Sequence, residues 1–340
     1  MKRRVTVVGL AVLATLAGLR PSDAQPRFFE GKTIRIIVGF SAGGGFDTYS
    51  RAIARHLGRH IFGHPAVIVE NMTGAASLLA ANQVYKGSRP DGLTIVNFHG
   101  NQVLGQLLGR DGIEFDVRKF VYVGVPSRDT AVCALTRASG VSTVEQWMAA
   151  KTPLKLGGVA PGDTPHDAAR VLNASLGLPI QLIRGYKGTA EIRLAAESGE
   201  IAGGCWQWES IRSTWRKGLD AGEVAIVLQV GAKPLPDLPS VPLALSLART
   251  DEARQLLNAG VVVPTGISRL YALPPGTPLD RAQALRTAFM ETLRDAEFVA
   301  DAGRAKLEID PIGAEEVERL VADLFKLDPA LVVKLKGILR

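Results

Sequence analysis

Short β-branched runs alternate with Ala- and Leu-rich amphipathic stretches along most of this chain. Residues 33–40 (TIRIIVGF) predict a buried strand, 41–45 a Gly-rich turn, and 47–62 a helix ended by Gly63. Strands follow at 66–70 and 93–98, with a helix at 74–86 between them. Further strands are predicted at 120–125, 132–136, 154–159, 180–184 and 201–206. Ser142 and Glu145 suggest a capping box for a helix through Ala150, and Thr164 with Pro165 opens a helix to about Leu176. Another helix is expected at 189–198. A Pro-rich stretch at 233–242 marks a crossing between domains. A late strand at 268–273, a helix at 279–293 capped by Thr277-Pro278, and two more amphipathic helices complete the chain. Strand–helix alternation predicts a largely parallel α/β architecture. The simplest arrangement builds one domain from both ends, residues 28–126 and 234–340, with a second domain, 127–233, inserted between them.

The N-terminus departs from this pattern. Lys2, Arg3 and Arg4 precede an apolar run of 15 residues, 5–19, and Ser22-Asp23-Ala24 supplies small residues for cleavage after Ala24. The run is shorter than the roughly 18 residues of a spanning helix. Residues 1–24 therefore predict a cleavable signal peptide and a periplasmic protein; an uncleaved anchor is the alternative. Removing Lys2, Arg3, Arg4, Arg20 and Asp23 from 40 basic and 33 acidic residues leaves 36 and 32, a net charge of +4 rather than +7. That bias is compatible with anions but too weak for nucleic acid, and no basic run or aromatic-interleaved stripe occurs.

Three glycines in the segment Ser41, Ala42, Gly43, Gly44, Gly45, Phe46, Asp47 can aim backbone N–H groups at a helix N-terminus that suits an anion. Neither a Walker loop nor a G-x-G-x-x-G fingerprint is present, so a tight structural turn remains open. Asp47 reads as a helix cap or a ligand-side acceptor. A second loop, Gly162, Asp163, Thr164, and a third, Tyr186, Lys187, Gly188, Thr189, open helices in the inserted domain. Loops of this kind on both domains suit a clamshell receptor. His56, His60 and His64 repeat every four residues, but Gly63 intervenes and Arg55 and Arg59 lie among them, so a solvated helix face is expected and no metal. Cys133 and Cys205 fit no metal spacing, and two buried free thiols are expected unless the fold brings them together. Trp206, Trp208 and Trp215 serve either packing or ligand stacking. No nucleophile elbow supports catalysis, and no cofactor is expected.

The segments IRIIVGFSAGGGFD (34–47), VIVEN with Gly74-Ala75, PDGLT (90–94), Tyr186-Lys187-Gly188 and DLPSVP (237–242) together resemble the substrate-binding proteins of tripartite tricarboxylate transporters, the Bug/TctC-type family. The resemblance implies a two-domain periplasmic-binding-protein fold (type II-like) with a ligand cleft between the domains. It implies a monomeric receptor that captures a small organic acid, a carboxylate or related amide, for membrane permease subunits. Ligand contacts carried over fall on Ser41 to Gly45, Asp47, Asn97, His99, Gly100, Gly162, Asp163, Thr164, Tyr186, Gly188 and Thr189, with Trp206 and Gln207 facing the cleft. The chain departs from the family pattern at Gly39, where proline is common, at Asp163, where a hydroxyl residue is usual, and at Ala202, where Asp is frequent. An exported sensor for a signalling partner, or an exported hydrolase, are the alternative functions.

Overall fold

The computed structural model describes residues 27–340 apart from Ser41 and Lys187; the expected signal peptide and these two residues lie outside the described residues. The chain first lays down β1 (Thr33–Val38), β2 (Ala66–Asn71), β3 (Thr94–His99) and β4 (Val121–Val125). It then builds β5 (Ala131–Thr136), β6 (Leu154–Gly158), β7 (Ile180–Arg184), β8 (Gly203–Gln207) and β9 (Val224–Val230), and returns through β10 (Arg269–Leu273) and β11 (Ile312–Gly313). These form two sheets, ordered β11-β4-β10-β3-β1-β2 and β7-β6-β8-β5-β9.

Both sheets are mixed, which corrects the expectation of a largely parallel one. β2, β1 and β3 are parallel, whereas β10 runs antiparallel to β3 and β4. In the second sheet β7, β6 and β8 are parallel, and β5 lies antiparallel between β8 and β9. β11 is also antiparallel to β4, whereas β5 and β10 share a cause of their own. β5 and β10 are the strands at which the chain enters a sheet from the other one, so no right-handed helical crossover fixes their direction.

The helices are α1 (Gly45–Leu57), α2 (Leu78–Gly87), α3 (Asn101–Leu107), α4 (Val144–Met148), α5 (Thr164–Leu176), α6 (Thr189–Glu197), α7 (Trp208–Thr214) and α8 (Arg216–Asp220). After β9 come α9 (Ala244–Leu247), α10 (Asp251–Leu257) and α11 (Val263–Gly266), then α12 (Leu279–Arg294) and α13 (Ala296–Arg304). α14 (Ala314–Leu324) and α15 (Pro329–Ile338) follow, so three helices rather than two succeed α12. The α4 cap sits one residue later than expected: Thr143 accepts from Gln146 N at 3.2 Å, while Gln146 Oε1 accepts from Ser142 N at 2.8 Å. The cap of α5 sits one residue earlier than expected, at Asp163 rather than Thr164. Thr277 does not cap α12; its hydroxyl donates to Pro274 O. α2 starts late because Ala75, Ala76 and Ser77 all take positive φ, at 46°, 53° and 73°.

Core packing follows the two faces of each sheet. One cluster joins Ile34, Ile36 and Tyr49 to Phe289 and Phe298 of α12 and α13, and another stacks Trp206 on Trp215 at 5.7 Å. A third, larger cluster runs through both sheets by way of α3, α5, α10 and α15. The Pro-rich stretch stays on the second sheet: the buried Gln229 side chain donates to Leu238 O and Val241 O and accepts from Leu235 N. The chain rejoins the first sheet at Arg269.

Cys133 and Cys205 are not free thiols; they form a disulfide. They lie directly opposite on β5 and β8, with Cα atoms 4.0 Å apart, so strand pairing supplies the proximity that their sequence separation of 72 conceals. The histidine run is solvated only in part: His64, Arg55 and Arg59 are exposed, but His56 at the end of α1 and His60 just after it are half-buried. His56 Nε2 lies 3.2 Å from Asp301 and His60 Nε2 3.1 Å from Asp295, so the face docks on the acidic end of α12 and α13. His56, Asp295 and Glu297 each bring a donor atom within 4.8 Å, but Arg59 already pairs with both carboxylates and supplies the cation there. Among the described residues no helix is long and apolar enough to cross a membrane.

Candidate functional site

Strand β1 delivers the Gly-rich turn to the start of α1, where the extended Gly44 is the cap and Gly43 takes φ +80°. Asp47 braces this turn from within. Its Oδ2 accepts from Gly43 N at 2.8 Å and from Arg51 Nε at 2.9 Å, and its Oδ1 accepts from Asn71 at 2.9 Å. Burial pushes the Asp47 carboxyl up, but the bonds from Arg51, Gly43 and Asn71 outweigh burial and hold it below the usual range. Ala42, Gly43 and Gly44 stay exposed, and the first-turn N–H groups of α1 beyond them have no partner inside the helix.

His99 ends β3 and is buried. Its Nδ1 accepts from Asn101 N at 3.1 Å, which leaves Nε2 as the protonated nitrogen, 3.3 Å from Thr164 Oγ1 on the second sheet's side. Burial pushes the His99 pKa down to about 4, so the ring is neutral. Gln207, at the end of β8, donates to the same Thr164 oxygen at 2.9 Å. His99 also takes a backbone tie: its N–H donates to Ser77 Oγ at 2.9 Å. The strained run before α2 is held by Gln102, whose Nε2 donates to Ala76 O at 2.7 Å. Three successive left-handed non-glycine residues cost on the order of 1–3 kcal/mol each, and such strain gathers at ligand sites.

The start of α5 is organised by Asp167, which no sequence motif marks. Its Oδ1 accepts from Gly162 N at 3.0 Å and pairs with His166 Nδ1 at 2.9 Å, while Oδ2 accepts from Asn101 at 3.1 Å and lies 3.8 Å from Arg110. Arg110 presses on Gly162 so closely that a Cβ there would lie 1.9 Å from Nη1. Gly162 also has φ +91°, so glycine is required twice over. Around this carboxylate three side-chain atoms are sealed from water without a partner: Asn101 Oδ1, Arg110 Nη1 and Asp163 Oδ1. Buried polar atoms are normally satisfied, so their gathering between the two sheets calls for an occupant.

Burial, reinforced by Asp167, pushes the Asp163 pKa up to about 8. Between about pH 4 and this value the folded protein keeps a proton that the unfolded chain releases, so stability drains as pH rises. Asp163→Asn is expected to match the wild type near pH 4 and to exceed it increasingly up to pH 8. Thermal unfolding between pH 4 and 9 checks this; parallel profiles would contradict it.

The structure thus brings together His99, Gly162, Asp163, Thr164 and Gln207. Gly100 serves close packing, since a Cβ there would meet Pro264 O and Ile267 O at 2.6 Å. Asn97 donates to Ser50, which pairs with Tyr271, inside the first sheet's core network. Trp206 is not a cleft wall: it is fully buried against Trp215, because alternation along β8 sends it and Gln207 to opposite faces. Tyr186 donates to Glu200 at 2.7 Å rather than across the cleft, and burial pushes its pKa up to about 12. Gly188 caps α6 in extended conformation, with Thr189 as its first residue. Asn101, Gln102, Arg110 and Asp167 escape sequence reading, as do Asp129, Glu209 and Arg269.

That last trio lies at the crossing between the sheets. Arg269 is 2% exposed, pairs with Asp129 and lies 2.7 Å from Glu209 of α7. Its guanidinium sits over Tyr49 at 4.5 Å and beside Gly45, where a Cβ would be 3.1 Å from Nη2. The guanidinium is therefore packed behind the N-terminus of α1, with its charge balanced by Asp129 and Glu209. Burial pushes Asp129 up and Glu209 to about 7, against the pull of Arg269.

Two mixed sheets meeting at the starts of α1, α3 and α5 define a two-lobed binding-protein fold. The family model described as tripartite tricarboxylate transporter family receptor, TctC, matches residues 50–336, and the chain belongs to that family. A Cupriavidus necator protein described as "UPF0065 protein in gbd 5'region" is 26% identical, with 98% of each chain covered. Among solved structures, MatC from Rhodopseudomonas palustris with bound malate superposes with a TM-score of 0.66 at 18% identity, covering 91% of this chain and 99% of that one. A second R. palustris protein, solved with adipate, gives 0.68 at 20% identity over 90% and 97%. The periplasmic binding protein BugD gives 0.68 at 19% identity over 90% and 97%.

Proposed function

We propose that this receptor captures a small organic acid, a carboxylate or related amide, between its two lobes and presents it to membrane permease subunits of a tripartite transporter. The observation that carries the reading is the set of sealed, unpartnered polar atoms around Asp167, drawn from both sides of the cleft. Relatives of the same fold solved with malate and adipate support the ligand class. Asp163, neutral at pH 7, donates a proton instead of repelling a carboxylate, and Arg110 supplies the charge. In this reading the lobes are residues 28–126 with 234–340 and residues 127–233, with the Pro-rich stretch and α9 lying against the second sheet and α10 packing against α5 to join the two. Export through cleavage after Ala24, a periplasmic location and a monomeric state belong to this proposal.

Catalysis is no part of it. His99 and Thr164 are the nearest approach to a base and nucleophile, but His99 presents Nε2–H as donor and Thr164 accepts from Gln207 as well. The pair is polarised the wrong way for proton abstraction. Calorimetry with malate, adipate and their monoamides is expected to show one-to-one binding, weakened about 10- to 100-fold by Arg110→Ala, the scale of one charge-assisted hydrogen bond. No binding across the panel, with no small molecule released on denaturing the purified protein, would overturn the reading.

A further inference from the structure

Behind α5, on the side where it covers β7, lies a cavity of about 260 Å³. Its walls carry Arg170, Arg184, Arg340 and His166, with Asn173, and no Asp or Glu side chain. Arg170 uses one donor on Ile338 O at 2.6 Å. Neither Arg184 nor Arg340 enters an ion pair or a side-chain hydrogen bond among the described residues. Three guanidinium groups around one cavity repel one another, and that repulsion is relieved by an anion between them. His166 adds an independent sign. It is completely buried, its Nδ1 is committed to Asp167, and its Nε2 is sealed with no partner. Because Nδ1–H is given to the Asp167 carboxylate, Nε2 is the accepting nitrogen, and it suits an occupant that carries a hydroxyl donor, such as a protonated phosphate.

We infer that this cavity is a second binding site, for a small multivalent oxyanion, phosphate or a short dicarboxylate, held by Arg184, Arg340 and Arg170 and bordered by His166. The cavity is large enough to admit such an ion with its water, and planar guanidinium groups match the oxygen edges of both chemistries. The site is separate from the cleft, yet His166 ties it to Asp167, which organises Gly162 and Asn101. The occupant therefore sits one side chain away from the cleft carboxylate.

The full-length protein is titrated at low ionic strength with inorganic phosphate and, separately, with malonate, following the His166 ring signal by NMR and the melting temperature. Saturable binding of at least one of the two, with a shifted His166 signal, is expected. Arg184→Ala and Arg340→Ala, both at the cavity edge, should each weaken it at least tenfold while leaving the ligand-free melting temperature unchanged. Arg110→Ala, at the cleft, should leave this binding intact. Binding lost in Arg110→Ala but kept in Arg184→Ala would assign the ion to the cleft and overturn the proposal. So would the absence of saturable binding for both anions.

Discussion

Arg269→Met is expected to destabilise the protein by about 3–5 kcal/mol at pH 8, the usual cost of leaving buried charges without their partner. Asp129 and Glu209 are both buried, and Ser268 donates to the same Asp129 oxygen at 2.6 Å as Arg269 approaches. With Arg269 present, burial already pushes Glu209 to about 7. Without it, the two carboxyls hold their protons to still higher pH in the folded state. The folded variant then binds more protons than the unfolded chain from the ordinary carboxylate range upward, and its stability falls as pH climbs. The penalty should therefore be smaller at pH 5 than at pH 8. Urea denaturation at the two pH values measures it, and Asp129→Asn with Glu209→Gln in the same background should recover most of the loss. An equal penalty at both values would refute the charge argument.

Replacing both cysteines, Cys133→Ala with Cys205→Ala, should cost about 4 kcal/mol, the chain-entropy estimate for closing a loop of this length. The separation is 72 residues, and both sites are fully buried at the centre of the second sheet. Wild-type protein denatured in the presence of a reductant should converge on the variant. A difference below about 1 kcal/mol would mean that the paired strands hold β5 and β8 together unaided.

Much of the fold is legible in the sequence because strand and helix periodicities are local. Residues 33–38, 66–70, 94–98 and 180–184 lie within the predicted strands, and α5 ends at Leu176 as expected. Val224–Val230 carries a β-branched run of its own, so β9 is readable too, although the sequence reading assigns no strand there. Strand direction is different in kind. Nothing local in β5 or β10 records which sheet the chain has just left. The disulfide belongs to the same class, since only the β5–β8 register reveals it.

The candidate site divides along the same line. Glycine turns announce themselves, so Gly43 and Gly162 are found from composition and spacing. Asp167 and Arg110 stand at ordinary helix and loop positions, and their significance exists only once α3 and α5 meet. Trp206 shows the opposite error. Its neighbour Gln207 faces Thr164, and a one-residue step along a strand reverses the face.

Gly39 follows the first strand in a place that admits no side chain. A Cβ at 39 would lie 2.2 Å from the Cβ of Ser77, and the Gly39 N–H donates to Asn97 O at 3.0 Å. A proline ring would occupy the first space and abolish the second bond. Positions 39 and 77 are thus coupled sterically, although they lie 38 positions apart in the chain: any side chain at 39 requires the turn at Ser77 to move aside.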